Sequence, residues 1–218
     1  QFNKTYTEGI GKIEQQDVLY AGELGYRIKH LGITRKTPAG IEQRVHPTLI
    51  PERRLIANVD GVMNAVLVMS DAVGPTLYYG AGAGSEPTAS AVVADVVDVV
   101  RALTTDPENR VPHLAFQPDA LSDINILPME ETETAYYLRL HAIDKPGVLA
   151  EVTRILGDSG ISIEAILQKE PAADATHVPI IFLTQRIKEK NMNDAIAKIE
   201  RLDAISGEVM RIRMETLG

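Results

Sequence analysis

The sequence predicts an α+β protein in two parts, and three observations support this class. In the last third of the chain, apolar residues alternate at the two-residue period of strands and then recur at helical spacing, in the order βαββαβ. In the first part, strand-like runs and helical segments are mixed. Between the parts, Thr, Asp and Pro interrupt the apolar periodicity from Thr104 to Pro128, which indicates a linker.

The first part opens with a helical segment from Val18 to Gly25, which ends at its glycine. Residues 26–33 then alternate as a half-buried strand does, and Pro47 and Pro51 mark an extended piece over 45–51. We predict two further strands, at 55–59 and 76–79, separated by an apolar run at 64–69 whose pattern fits either a strand or a helix.

Residues 88–103 are rich in Val, which by propensity alone favours a strand. Their length, and polar residues three apart at Asp95, Asp98 and Arg101, predict a helix with one narrow polar stripe instead. Such a helix must be buried over most of its circumference.

The second part begins with a strand over 137–143, in which Leu138, Leu140 and Ala142 form the one buried face. Residues 144–147 predict a turn, and the helix that follows from Val148 stops at Gly157 and Gly160. The remaining elements are strands at 161–165 and 178–184, a helix carrying Met192, Ala195, Ile196, Ile199 and Leu202, and a last strand at 209–214. This is a ferredoxin-like order, and we predict domains at 1–103 and 135–218 with a linker at 104–134.

Composition excludes several functions. The 218 residues carry a formal net charge of −8, which argues against nucleic acid and anionic membranes as partners. Cysteine is absent, so disulfides, thiolate catalysis and Cys-based zinc sites are excluded. Without an apolar run long enough for a membrane span, or a basic and apolar leader, we expect a soluble cytoplasmic protein. Because the chain opens on Gln1 and not on Met, we expect it to be part of a longer one.

A glycine-spaced loop is the most informative motif. Gly80, Gly82 and Gly84 stand at alternate positions and are followed by Ser85, Glu86, Pro87 and Thr88 before the Val-rich helix. Glycines let backbone approach a ligand closely, and Ser85 and Thr88 offer hydroxyls and N-cap chemistry. An anion or a polar cofactor edge could sit at this helix start. A tight strand-to-helix turn without a ligand explains the same residues equally well.

Two families are recognisable from these residues. The second part resembles an ACT domain, an amino-acid-binding regulatory module, through Asp144-Lys145-Pro146-Gly147-Val148-Leu149 and Gly160-Ile161-Ser162-Ile163. The first part resembles the carboxy-terminal part of the catalytic region of homoserine dehydrogenases. The carriers are Tyr6-Thr7-Glu8-Gly9-Ile10, Leu24-Gly25-Tyr26-Arg27-Ile28-Lys29, the run from Asn58 to Val66, and the glycine loop.

The resemblance to homoserine dehydrogenases implies an oxidoreductase of threonine and methionine biosynthesis that uses NAD or NADP. It implies that the chain holds part of a mixed-sheet substrate and dimerisation domain, and that Gly80, Gly82, Gly84, Ser85 and Glu86 complete the cofactor pocket. The Gly-x-Gly-x-x-Gly fingerprint of a nucleotide-binding domain is absent, and the family's catalytic Lys and Asp would lie upstream of Gln1. We therefore expect no catalytic residue in this chain and no dehydrogenase activity from it alone.

The resemblance to ACT domains implies a cytoplasmic homodimer or higher homo-oligomer, with an amino-acid effector bound where two copies pack. The predicted site comprises Asp144, Pro146, Gly147, Val148, Leu149, Ile161 and Ile163. First-turn N–H groups would receive the effector's carboxylate, and Asp144 would cap the helix or accept the ammonium. Analogy with the pathway suggests threonine as an allosteric feedback effector. The alternative is a non-catalytic ACT-type sensor or dimerisation module.

Other polar residues are weaker candidates. The five histidines, His30, His46, His113, His141 and His177, show no metal-ligand spacing, so we predict no metal site. No neighbouring motif supports Lys29 or Lys36 as a general base. Arg53-Arg54 could bind a carboxylate, and Glu8 or Asp60 an ammonium, but solvated or turn-forming roles are favoured for all four.

Overall fold

The computed structural model describes residues 2–105, 116–169 and 176–217. These form two compact units, one of residues 1–57 with 124–218 and the other of residues 58–123. Among the described residues, no helix combines the length and the apolar character that a membrane span requires. The strands are β1 (Tyr6–Thr7), β2 (Tyr26–Thr37), β3 (Gly40–Pro51), β4 (Met63–Ser70), β5 (Gly74–Ala81), β6 (Glu133–Ile143), β7 (Ile163–Gln168), β8 (His177–Thr184), β9 (Ile187–Lys188) and β10 (Ile205–Met214), and the helices are α1 (Gln15–Glu23), α2 (Ser85–Thr104), α3 (Val148–Asp158) and α4 (Glu189–Ile199).

The predicted βαββαβ order is confirmed in the larger unit. Strands β10, β6, β8 and β7 pair antiparallel in that order, and the two-residue β9 is an addition that pairs with the start of β6. Helices α3 and α4 cover one face of this sheet through Val152, Leu156, Met192, Ala195 and Ile199. Alternation along β6 places Leu138, Leu140 and Ala142 in the same core, because successive side chains point to opposite faces.

The other face of β6 is buried as well, which corrects the prediction of a single buried face. Tyr137 is fully buried and Arg139 is 4% exposed. Tyr137 packs with Ala21 of α1 and Ile212 of β10 in a second apolar cluster. The alternation of Leu and Arg along β6 suggests a solvent-exposed face. Helix α1, more than a hundred residues earlier in the sequence, covers that face.

The sheet continues into the N-terminal strands. β10 pairs parallel with β3 at Arg213↔Thr48 and Met214↔Leu49, and β3 pairs antiparallel with β2 along its whole length. β1 lies beside β3 further along, at Arg44 and Val45. The larger unit therefore crosses the boundaries predicted near 103 and 134, because backbone pairing joins residues 26–51 to the last strand and not to residues 58–103.

The smaller unit contains the hairpin β4–β5 and the helix α2. The apolar run at 64–69 is a strand, since β4 pairs with β5 from Met63↔Ala81 to Ser70↔Gly74. The predicted helix is confirmed and begins earlier, at Ser85. Its predicted burial is wrong within this unit: no residue of α2 is buried, and Val96 is 57% exposed.

Residues 55–59 are not the predicted strand. Leu55–Asn58 is a 3-10 helix. The backbone N–H groups of Arg54 and Ala57 bond to the carbonyls three residues earlier, at Pro51 and Arg54, so the turn after β3 runs on into a tight helix. Of the predicted linker, residues 106–115 lie outside the described residues, and the described part holds two short 3-10 helices, Pro118–Ala120 and Met129–Glu131.

Candidate functional site

The glycine loop connects the end of β5 with the start of α2. All residues from Gly80 to Glu86 are exposed. The Gly82 N–H donates to the Val62 carbonyl at 3.0 Å, which closes the open end of the β4–β5 hairpin. A Cβ at Gly82 would lie 1.7 Å from Nδ2 of Asn64, so a substitution there would require the exposed Asn64 side chain to move. A Cβ at Gly80 would meet no atom within 4 Å, which leaves its surface open to a ligand.

Helix α2 starts without a side-chain cap. Its N-cap is Gly84, with a φ of 121° that favours glycine. The Thr88 hydroxyl donates to the Gly84 carbonyl at 2.7 Å, and this hydrogen bond stabilises the first turn. Ser85 is the first helical residue and not the N-cap. No side chain therefore caps the N–H groups of Ser85 and Glu86, while Pro87 has no N–H and the Thr88 N–H donates to the Gly84 carbonyl at 3.2 Å.

The second predicted site lies where β6 passes into α3. Gly147 is in the left-handed region, with φ 96°, and it precedes the first helical residue, Val148. Asp144, Lys145, Pro146 and Gly147 are exposed, so backbone and side chains at this corner are open to a ligand. No side-chain hydrogen bond caps α3, which corrects the predicted capping role of Asp144.

The apolar residues of the predicted effector site face the core. Ile161 is 4% exposed and belongs to the core cluster, while Val148, Leu149 and Ile163 are half-buried and pack against it. These four side chains anchor the ends of the corner to the core by packing. Of the seven predicted residues, Asp144, Pro146 and Gly147 are therefore the exposed ones, and the four apolar side chains pack on the core.

Strand β7, which begins at Ile163, is the last strand of its sheet. In the described part of the chain, β8 is its partner on one side and no strand pairs with the other. Ile166 on this strand is 43% exposed. An edge with unpaired N–H and C=O groups is a ready template for pairing with another chain.

Buried ion pairs fasten the N-terminal segment to the last strand, and sequence reasoning missed them. Arg213 is fully buried. Its Nη1 donates to Glu8 Oε2 at 2.7 Å and its Nε donates to Glu189 Oε2 at 3.0 Å. Burial by itself raises the pKa of Glu8 and Glu189, but the hydrogen bonds and charge of Arg213 hold both below the ordinary value. Glu8 therefore has a structural partner, in keeping with the favoured prediction.

Two further clusters have the same character. Arg139 on β6 donates through Nε to Asp17 Oδ1 of α1 at 2.6 Å, with both side chains buried. Arg44 on β3 donates to Glu215 Oε1 at 2.6 Å and contacts His46 Nε2 at 2.9 Å. The one available signal was an arginine within or directly before a predicted strand or extended run, which does not reveal the distant carboxylates.

Comparison with known proteins agrees with both resemblances, that of the first part and that of the second part of the chain. Residues 1–97 match the homoserine dehydrogenase family model and residues 136–201 match the ACT domain model. A homoserine dehydrogenase from Pseudomonas aeruginosa is 66% identical over all of this chain, which spans 50% of that relative. This chain matches the carboxy-terminal region of homoserine dehydrogenases, followed by an ACT domain.

Other relatives of the homoserine dehydrogenase family match in the same way. The enzyme from Neisseria gonorrhoeae is 56% identical over 99% of this chain and 49% of its own length. The crystal structure of a homoserine dehydrogenase from Thiobacillus denitrificans has a TM-score of 0.91 at 69% identity, covering all of this chain and 49% of that one. The chain thus spans about half the length of the relatives that it matches, and corresponds to their carboxy-terminal region with an ACT domain.

Proposed function

We propose that this chain acts as the carboxy-terminal half of an NAD(P)-dependent homoserine dehydrogenase of the cytoplasm, in threonine and methionine biosynthesis. The reaction is the interconversion of L-aspartate 4-semialdehyde and L-homoserine, with hydride passing between the nicotinamide ring and the substrate carbonyl. The observation that carries the proposal is identity at 66% along the entire chain with one such enzyme. The match covers the glycine loop and the ACT corner alike.

The glycine loop supplies backbone to the cofactor pocket in this proposal. The uncapped first turn of α2 offers N–H donors, and Gly80 leaves room above the strand. Glu86 in the same turn places a negative charge beside these donors, which disfavours a phosphate there. The arrangement suits an uncharged polar group that accepts hydrogen bonds, such as the carboxamide of a nicotinamide ring.

Gly80→Ala in the longer enzyme tests this role. The added methyl group meets no atom of the residues that the structure describes, so folding should be unaffected, whereas a cofactor packed on the backbone would be displaced. We expect the KM for NADP or NAD to rise by about tenfold or more, equivalent to about 1.4 kcal/mol. Gly22→Ala on α1, equally free of contacts, is the matched control. An unchanged KM would remove the loop from the cofactor site.

The catalytic residues lie outside this chain in the same proposal. The purified 218-residue chain should then show no homoserine-dependent reduction of NADP, whereas the longer enzyme should. Turnover by the chain of verified mass would contradict this assignment.

The ACT corner binds an amino-acid effector, with threonine as the proposed ligand. Support comes from the left-handed Gly147, which exposes the backbone before α3, and from the carboxylate of Asp144, which makes no helix cap and can receive an ammonium. Ile163 of the same site is the first residue of β7, and no described strand pairs with the outer edge of β7. A second copy pairing there would close the corner, and gives the proposed homodimer.

Calorimetric titration with L-threonine tests the effector site. We expect saturable binding that Asp144→Ala reduces at least about tenfold. Asp158→Ala, at the exposed far end of α3, should leave binding unchanged. Serine, valine and isoleucine serve as ligand controls. Binding of none of these amino acids would leave the ACT unit as a dimerisation element, which Ile166→Lys should then disrupt in light scattering.

A further inference from the structure

A buried ion pair joins the strand that leads to the ACT corner with the first helix of the chain. Strand β6 ends at Ile143, and the corner begins at the next residue, Asp144. Arg139 of this strand donates through Nε to Asp17 Oδ1 at 2.6 Å and through Nη2 to Asp17 Oδ2 at 3.1 Å. Asp17 is fully buried and Arg139 is 4% exposed. A bidentate pair of this kind fixes the orientation of its partners as well as their distance.

The carboxylate of Asp17 also holds the start of α1. Its Oδ2 accepts the backbone N–H of Glu14, the N-cap residue of α1, at 3.0 Å, as the third residue of a capping box does. Its Oδ1 accepts the Tyr137 hydroxyl of β6 at 3.0 Å. One buried carboxylate therefore belongs both to the cap of α1 and to two side chains of β6. A displacement of β6 changes the hydrogen bonds of the group that caps the helix.

The pairing of β6 changes between the corner and Arg139. On the β8 side, the ladder continues without a break from Tyr137↔Leu183 to Ile143↔His177. On the β10 side, Ser206 pairs with His141 and Met210 with Arg139, so the register breaks between these two pairs. Bulges locally disrupt a ladder and bend the strand that carries them. A small movement of β6 with β8 would therefore meet less regular pairing on the β10 side.

A second ion pair of α1 provides a comparison. Glu23, the last residue of the helix, pairs with Lys169, which follows β7. The two side chains are 45% and 47% exposed, so solvent screens their interaction and its geometry has little energetic consequence. Burial makes the pair of Arg139 with Asp17 far more sensitive to displacement, because neither charge can be solvated in place of its partner.

We propose that the pair of Arg139 with Asp17 couples the ACT corner to the N-terminal segment. An effector held at residues 144–147 displaces the end of β6, and Arg139 passes this displacement to Asp17 and to the first turn of α1. Asp17 is a positioning residue, because it touches neither the effector nor the reacting atoms. The inference rests on the proposed function, in which the corner binds an effector and the catalytic residues lie upstream of Gln1. An effector changes activity only through contacts that differ between two states, and this buried pair provides such a contact.

Inhibition of the longer enzyme by L-threonine, with and without Asp17→Asn, tests the proposal. The substitution keeps the size of the side chain and one acceptor oxygen, and Arg139 retains Glu14 Oε2 at 3.2 Å as a partner, so the variant should fold. We expect the threonine concentration for half-inhibition to rise at least about fivefold. Calorimetry should still show saturable threonine binding, and kcat and KM without threonine should change by less than about twofold.

Two further variants of the buried pair distinguish coupling from stability. Asp17→Glu keeps the carboxylate, and glutamate is the usual residue at this position of a capping box, so inhibition should be at least partly recovered. Arg139→Lys keeps the buried charge and loses the bidentate geometry, so inhibition should weaken as it does in Asp17→Asn. Glu23→Gln removes the exposed pair of the same helix and is the matched control, with inhibition unchanged. A circular dichroism melt of each variant confirms folding.

Hydrogen exchange of the purified chain gives a measurement that does not depend on turnover. L-Threonine should change the exchange of amides at residues 15–23 in the parent chain and leave them unchanged in Asp17→Asn. Equal inhibition of the parent enzyme and Asp17→Asn would overturn the inference alone, as would relief of inhibition by Glu23→Gln of the same size. A parent enzyme that threonine neither binds nor inhibits would overturn the proposed effector site, and the inference with it.

Discussion

At the residue scale, stability depends on charges that are buried in pairs. Arg213, Arg139 and Arg44 each lie in the sheet and each meets a carboxylate from a distant part of the chain. Taking such groups out of water costs several kcal/mol, which good hydrogen-bond geometry offsets. The consequence is asymmetric, because removing one partner leaves the other buried and unpaired.

Replacing Arg213 by Met should therefore lower the free energy of unfolding by about 3 kcal/mol, because Glu189, 3% exposed, keeps only Arg211 of its two arginine partners and Glu8 loses its arginine. Chemical denaturation measures the change. Lys12→Met is the matched control, since its pair with Glu208 is 75% and 79% exposed, and should cost less than about 1 kcal/mol. Equal effects for the two variants would show that Arg211 or water compensates Glu189 when Arg213 is absent.

His46 should make stability depend on pH. Burial lowers its pKa to about 4 from an ordinary 6.5, so the unfolded chain binds more protons between these values. Its contribution to stability is complete above pH 6.5 and is lost as the pH falls towards 4, by up to about 3 kcal/mol. Unfolding of His46→Gln should have a shallower slope in that window than unfolding of the parent chain, as denaturation at several pH values would measure.

At the element scale, glycines differ in what they do for their helices. Gly147 ends the turn before α3 in a conformation that side chains rarely adopt, while Gly157 lies inside the same helix with no atom near its absent Cβ. The first is required by backbone geometry and the second is a weak point of the helix.

Substituting alanine at these two glycines should therefore have opposite effects. Gly147→Ala should lower the free energy of unfolding by about 1 kcal/mol or more, because φ 96° strains a residue with a Cβ. Gly157→Ala should raise it by up to about 1 kcal/mol through better helix propensity. Thermal unfolding of the two variants measures both, and a stabilising Gly147→Ala would mean that the turn relaxes to negative φ.

At the scale of the whole molecule, the two units differ in how many of their residues are buried. The larger unit has apolar cores on both faces of its sheet, whereas no described residue of 58–123 is buried. Local opening follows the density of buried contacts, so the hairpin and α2 belong to the least protected part of the chain. The six valines of α2 from Val92 to Val100 that are exposed here need another surface to cover them.

Hydrogen exchange should show this difference in burial as different protection of helices α2 and α4. Backbone amides of α2 should exchange at least about a hundredfold faster than those of α4, whose Met192, Ala195 and Ile199 are fully buried. Equal protection of the two helices would contradict the expectation, and would show that the valine face of α2 is covered in solution.

Much of the molecule follows from local sequence. The βαββαβ order, the helix over 88–103 and the turn at Gly147 are confirmed, because periodicity and glycine placement act over a few residues. The same motifs identified the family, and located the corner and the glycine loop that the proposed sites use. Assignments that relied on propensity alone were less secure, as the 3-10 helix at Leu55–Asn58 shows.

The remaining features of the fold depend on long-range contacts, which no local sequence pattern encodes. The pairing of β3 with β10, the cover that α1 gives to Tyr137 and Arg139, and the ion pair of Glu8 with Arg213 each join residues more than a hundred positions apart. The sequence therefore determined most of the elements, their order and the resemblance to homoserine dehydrogenases and ACT domains. Tertiary packing decided which strands share a sheet and which charges are buried, because those outcomes depend on partners that only the folded chain brings together.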